Sequence, residues 1–121
     1  MCPIKFCIPP ALLIASLSAM GQDAPLSGEE ILAAWVGKTV IGQSAAGQAI
    51  SLRLESDGKA SVTAGTLQDV GVWRVVDRGY CATWKVIRNG QERCFTVKRV
   101  GAKWIVSNPD GSLNSSVDSA K

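Results

Sequence analysis

The chain contains no histidine. That absence removes Ser-His-Asp and Cys-His catalysis, histidine general bases and most zinc sites in one step. There is also no Gly-rich phosphate loop behind a strand and no nucleophile elbow. Carboxylates remain, but Asp57, Asp69 and Asp77 lie beside glycines or at strand ends and read as turn residues. No catalytic residue, metal ligand or cofactor site is therefore assigned, and a carboxylate-based hydrolase is only a second alternative.

A long apolar run is missing as well. The stretch from Phe6 to Gln22 carries no charge, but Pro9-Pro10 interrupts it, and a membrane span needs about 20 apolar residues. Lys5 stands before this stretch, Ala11-Leu12-Leu13-Ile14-Ala15 forms its centre, and Ala19-Met20-Gly21 supplies the small residues of a cleavage site. The pattern predicts a secretory signal over residues 1–21, a mature start at Gln22 and export, with no stable membrane anchor once the signal is removed.

Cys2 and Cys7 leave with that signal, so Cys81 and Cys94 are the cysteines that remain. In an exported chain such a pair is most simply one disulfide.

What is present reads as a short helix followed by strands. Ser27-Gly28-Glu29-Glu30 has the spacing of a capping box, and Ile31, Leu32, Ala34 and Trp35 give one apolar side at helical period, predicting a helix over about 28–36. From Thr39 the pattern changes. Ile50, Leu52 and Leu54 alternate with Ser51, Arg53 and Glu55, and turn signals such as Asp57-Gly58, Asp77-Arg78-Gly79 and Asn89-Gly90 recur at the spacing of an all-β sandwich or barrel. With no long crossover for parallel pairing, the fold class is mainly β: an antiparallel meander of seven or so strands, curled into a small barrel or half-barrel. One domain is expected over 22–107. The Ser-rich segment 108–121 reads as a flexible tail.

Two signals conflict between Tyr80 and Val100. A tight type I′ turn at Asn89-Gly90 would pair Trp84 with Phe95 and place both on one apolar face with Ala82 and Val97. That register sets Cys94 opposite Lys85, roughly 13 Å along the strand from Cys81 at ~3.3 Å per residue, beyond the ~7 Å a disulfide tolerates. A bulge with a longer loop, a strong twist, or separate thiols would each resolve the conflict. The oxidising compartment favours the bridge, with a wider loop from Trp84 to Gln91.

Charge is unevenly placed along a chain of net charge +3. Arg74, Arg78, Lys85, Arg88, Arg93, Lys98, Arg99 and Lys103 crowd one region against Asp77 and Glu92. Interleaved with Trp84 and Phe95, this stripe could receive an anionic small molecule, a lipid head group or an acidic protein surface; the plainer reading is a solvated strand face. Nucleic acid is not a partner that the pattern fits. The candidate binding residues are Arg74, Trp84, Arg93, Phe95 and Arg99. A three-residue turn at Asp77-Arg78-Gly79 would bring Arg74 to the interior beside Trp84, whereas another register sends it outward.

Trp35-Val36-Gly37-Lys38-Thr39-Val40, Gly71-x-Trp73, Cys81-x-x-Trp84 and Cys94-Phe95-x-Val97 resemble small exported bacterial proteins grouped as a domain of unknown function. The resemblance covers most of the mature chain. It implies a periplasmic β-rich domain with Cys81 paired to Cys94 and no established catalytic residues. Gly71-x-Trp73 is also similar to a lipocalin motif, here in mid-chain. The function expected is a non-enzymatic exported binding or interaction module, with an inhibitor of an envelope or secreted hydrolase as the first alternative.

Overall fold

A computed structural model describes residues 24–121; the signal expected over 1–21 and the start at Gln22 lie outside the described residues. The first described element is helix α1, Gly28–Trp35. Its capping box is complete: the Ser27 hydroxyl accepts from the Glu30 N–H, and the Glu30 carboxylate accepts from the Ser27 N–H. Glu29 and Glu30 lie in the first turn, where the helix dipole favours negative charge. At eight residues the helix is too short to stand alone. Docking holds it, with Ile31 and Trp35 fully buried.

Eight strands follow: β1 Thr39–Ser44, β2 Ala49–Leu54, β3 Lys59–Ala64, β4 Leu67–Val76, β5 Gly79–Trp84, β6 Arg93–Val100, β7 Lys103–Ser107 and β8 Leu113–Ala120. Each pairs antiparallel with its neighbour in sequence, and β8 pairs with β1, so the sheet closes into a barrel. This is the mainly β, antiparallel fold read from the turn spacing. Closure removes the edges that an open sheet would expose.

The segment expected to be a flexible tail is the strand that closes the barrel. β8 pairs with both β7 and β1, and Thr39 and Lys121 exchange two backbone hydrogen bonds. Its serines hide it from a hydrophobic reading, yet Ser115 and Val117 are both buried. Small side chains suit this seam because the backbones approach closely: a Cβ on Gly42 would collide with the Ser116 carbonyl.

The barrel interior is filled from one end. Trp35 meets Tyr80 and Trp104 edge-on, each at 6.0 Å between centroids, a favoured arrangement for aromatic pairs. Leu54, Val97 and Val106 complete this packed end. The helix is tied down by its flanks, through Leu26 N–H to the Val97 carbonyl and Gly37 N–H to the Leu54 carbonyl. α1 is therefore a stopper in one mouth of the barrel. Among the described residues, no helix is long and apolar enough to cross a membrane.

The Gly71-x-Trp73 pattern has a structural meaning. A Cβ at Gly71 would strike the Thr83 carbonyl of β5, so only glycine allows that approach. Trp73 is buried, and its indole N–H donates to the Glu55 carbonyl at 2.8 Å, tying β4 to the turn between β2 and β3.

Candidate functional site

Cys81 and Cys94 are bridged and directly opposite each other, 3.9 Å apart at Cα. The bridge resolves the register conflict in favour of the wider loop. Tyr80 faces Phe95 and Ala82 faces Arg93, so Phe95 pairs with Tyr80 rather than Trp84, and residues 85–92 leave the ladder. The β5–β6 ladder has only three register pairs, the shortest in the barrel, and the disulfide is the middle one. The staple stands where backbone pairing is weakest.

The β4–β5 register also differs from the inward reading of Arg74. Val76 pairs with Gly79 and Arg74 with Cys81, a loop one residue tighter than the three-residue turn expected. A one-residue change of register moves a side chain to the other face, so Arg74 points outward. There it forms a two-pronged ion pair with Glu92, at 3.0 and 3.1 Å. The bond from Arg74 holds Glu92 below the usual carboxylate range. Glu92 and the two sulfurs lie within 4.8 Å of one another, so the ion pair covers the disulfide, and Cys81 is fully buried. Oxidised sulfurs supply no thiolate, and this cluster is not a metal-binding set.

The other candidates separate. Arg99 shares the inward face of its partner Trp104 but lies exposed at the helix-plugged end, stacked over the Trp104 ring at 4.1 Å. Trp84 and Phe95 are buried and line the interior. Arg93 is half-buried and shares the inward face of Ala82 near the rim. The basic stripe is thus divided between the outer wall and the two ends of the barrel. Trp84, Phe95 and Arg93 stay together; Arg74 and Arg99 do not join them.

Opposite the helical stopper, the barrel opens into a cavity of about 210 Å³. Ile50, Leu52, Val62, Ala82, Trp84 and Phe95 make its apolar wall. Ser44, Tyr80, Arg88, Asn114 and Ser115 supply polar atoms, and no carboxylate belongs to the lining. Among the described residues the Tyr80 hydroxyl has no protein hydrogen-bond partner, and burial pushes its pKa well above the ordinary phenol value. A larger depression over Val70, Val72 and Lys85 is open outer surface and has no comparable enclosure.

A short turn closes over one side of the mouth. Ile87–Gly90 forms a short kinked turn in which Arg88 (φ 56°) and Asn89 (φ 54°) adopt left-handed conformations, uncommon for residues other than glycine. Asp69 holds this turn. It is buried rather than a turn residue, and its carboxylate accepts the N–H groups of Val86 at 2.9 Å and Ile87 at 2.8 Å. Burial alone would raise its pKa, but hydrogen bonds from Ile87, Val86, Val70 and Lys85 together outweigh that and keep it below the ordinary value. The outcome is a fixed loop with Ile87 and Arg88 turned to the cavity and Arg88 over the Phe95 ring, 5.4 Å from its centroid.

Neither Asp69 nor Arg88 stood out among the candidates from sequence. The legible signal was the disulfide itself, since pairing Cys81 with Cys94 forces residues 85–92 into a loop and makes Arg88-Asn89-Gly90 its apex. Comparison with family models, curated proteins and solved structures finds no match to this chain.

Proposed function

We propose that this chain is an exported, non-enzymatic binding protein whose site is the open end of the barrel. One observation carries the reading: α1 seals one mouth while the other leads to an enclosed, mainly apolar cavity with a few convergent polar groups. Small-molecule sites have this character, and an eight-stranded barrel is wide enough to hold one small ligand. Export to a periplasm is supported by the signal-like first 21 residues and by a disulfide that an oxidising compartment would maintain. The resemblance to small exported bacterial proteins points the same way.

Two features favour this reading over the alternatives. An inhibitor that inserts the Trp84–Gln91 segment into a hydrolase needs that segment to project, whereas Asp69 folds its middle across the mouth. A carboxylate-based hydrolase needs an acid in the cavity, and the lining has none. Native mass spectrometry of protein purified from the cell envelope, together with a small-molecule thermal-shift screen, tests the reading. Ligands should raise the melting temperature of the natural protein but not of Ala64→Trp, which fills the cavity from its wall. Equal shifts for the two proteins would place binding elsewhere.

A further inference from the structure

We propose that the ligand is a compact monocarboxylate, with its acid group on Arg88 at the mouth and its apolar body beside Phe95 and Trp84; this rests on the reading of the cavity as a small-molecule site. Arg88 is half-buried, lines the cavity and is set over an aromatic face by a left-handed turn. Among the described residues the ion pairs are Arg53–Glu55, Arg74–Glu92 and Lys103–Asp118, so Arg88 has no acidic partner, and its guanidinium donates no hydrogen bond to the protein. A partly desolvated cation without a counter-charge is costly unless an anion completes it. Burial disfavours the charged state of Arg88, and the positive charge of Arg93 nearby adds to that, so a negative group at this position is favoured.

The geometry narrows the class. A guanidinium binds a planar carboxylate through two parallel hydrogen bonds, and one such fork suits one negative charge. The wall behind Arg88 is apolar, so the remainder of the ligand is hydrocarbon in character. Size sets the limit. A cavity of about 150 Å³ takes a benzene ring, so about 210 Å³ accommodates an aromatic acid or a medium-length alkyl acid and excludes a long-chain lipid. The Tyr80 hydroxyl offers a polar contact along the interior.

Isothermal titration of the oxidised exported chain with benzoate and octanoate, against benzyl alcohol and octanol, tests this directly. A charge-assisted hydrogen-bonded pair predicts that each acid binds at least about tenfold more tightly than its alcohol. Arg88→Gln should erase that preference while leaving alcohol binding and the melting temperature near their original values. Arg93→Gln should retain it. Equal affinity for acids and alcohols would overturn the carboxylate assignment and leave the receptor reading standing. Loss of preference in Arg93→Gln but not in Arg88→Gln would overturn the role of Arg88. Failure of all four probes to bind would sink both readings.

Discussion

Removing the Cys81–Cys94 bridge should weaken the barrel at one identifiable seam. The bridge spans a sequence separation of 13, and closing a loop of that size lowers the entropy of the unfolded chain by an amount worth about 3 kcal/mol in the chain-entropy model. For a domain of this size, ~1 kcal/mol corresponds to roughly 4–8 °C in melting temperature, so a loss of roughly 12–24 °C is expected. The location adds a second signature. With only three register pairs between β5 and β6, loss of the central link should loosen residues 85–92 before the rest of the barrel. Two comparisons separate the effects: oxidised against reduced natural protein, and oxidised protein against the Cys81→Ala/Cys94→Ala double variant. Calorimetry gives the shift, and hydrogen exchange read by mass spectrometry gives its location. A shift below about 4 °C, under ~1 kcal/mol, would refute the claim that the bridge is the main constraint on this seam. Faster exchange spread evenly around the barrel would refute its localisation.

Deleting residues 113–121 should abolish the cooperative melt, because β8 supplies both ladders that close the barrel; an unchanged melt would restore the flexible-tail reading. Leu54→Ala, at a fully buried position, should cost about 2–5 kcal/mol by chemical denaturation. Tyr80 is the sole tyrosine, and its folded-state pKa is raised by burial; stability is whole below the unfolded value near ~10 and falls as the pH rises above it. Tyrosinate absorbance should therefore appear only with alkaline unfolding, and ordinary titration in the folded protein would contradict the burial. The folded-state pKa of Asp69 is lowered, so its stabilisation is present above the unfolded value and is lost as the pH falls through the folded one. Val86 and Ile87 amide protection, corrected for the intrinsic pH dependence of exchange, should decline across that acid window, and Asp69→Asn should show the lower protection already at neutral pH.

Local chemistry in the sequence determined much of the scaffold. Ser27 and Glu30 specify the start of α1 because a capping box needs only neighbouring residues, and the alternation of Ile50, Leu52 and Leu54 specifies a strand with one buried face because side-chain direction follows backbone period. Turn spacing determined the antiparallel, mainly β class. The cysteine pair also indicated the wider loop, since a covalent bridge restricts register more strongly than the preference of Asn89-Gly90 for a tight turn. What remained depended on partners distant in the chain. β8 is a strand because β1 and β7 leave places for it, and its serines carry little hydrophobic signal of their own. Arg74 points outward because the β4–β5 loop is one residue shorter than its glycine suggested, and in a sheet one residue reverses the face. Asp69 resembles a turn residue until Val86 and Ile87 arrive from 17 and 18 residues away to donate to it. Arg88 became a mouth residue only when that contact fixed the loop above Phe95. Burial and charge pairing are properties of the closed barrel, and tertiary structure alone decided them.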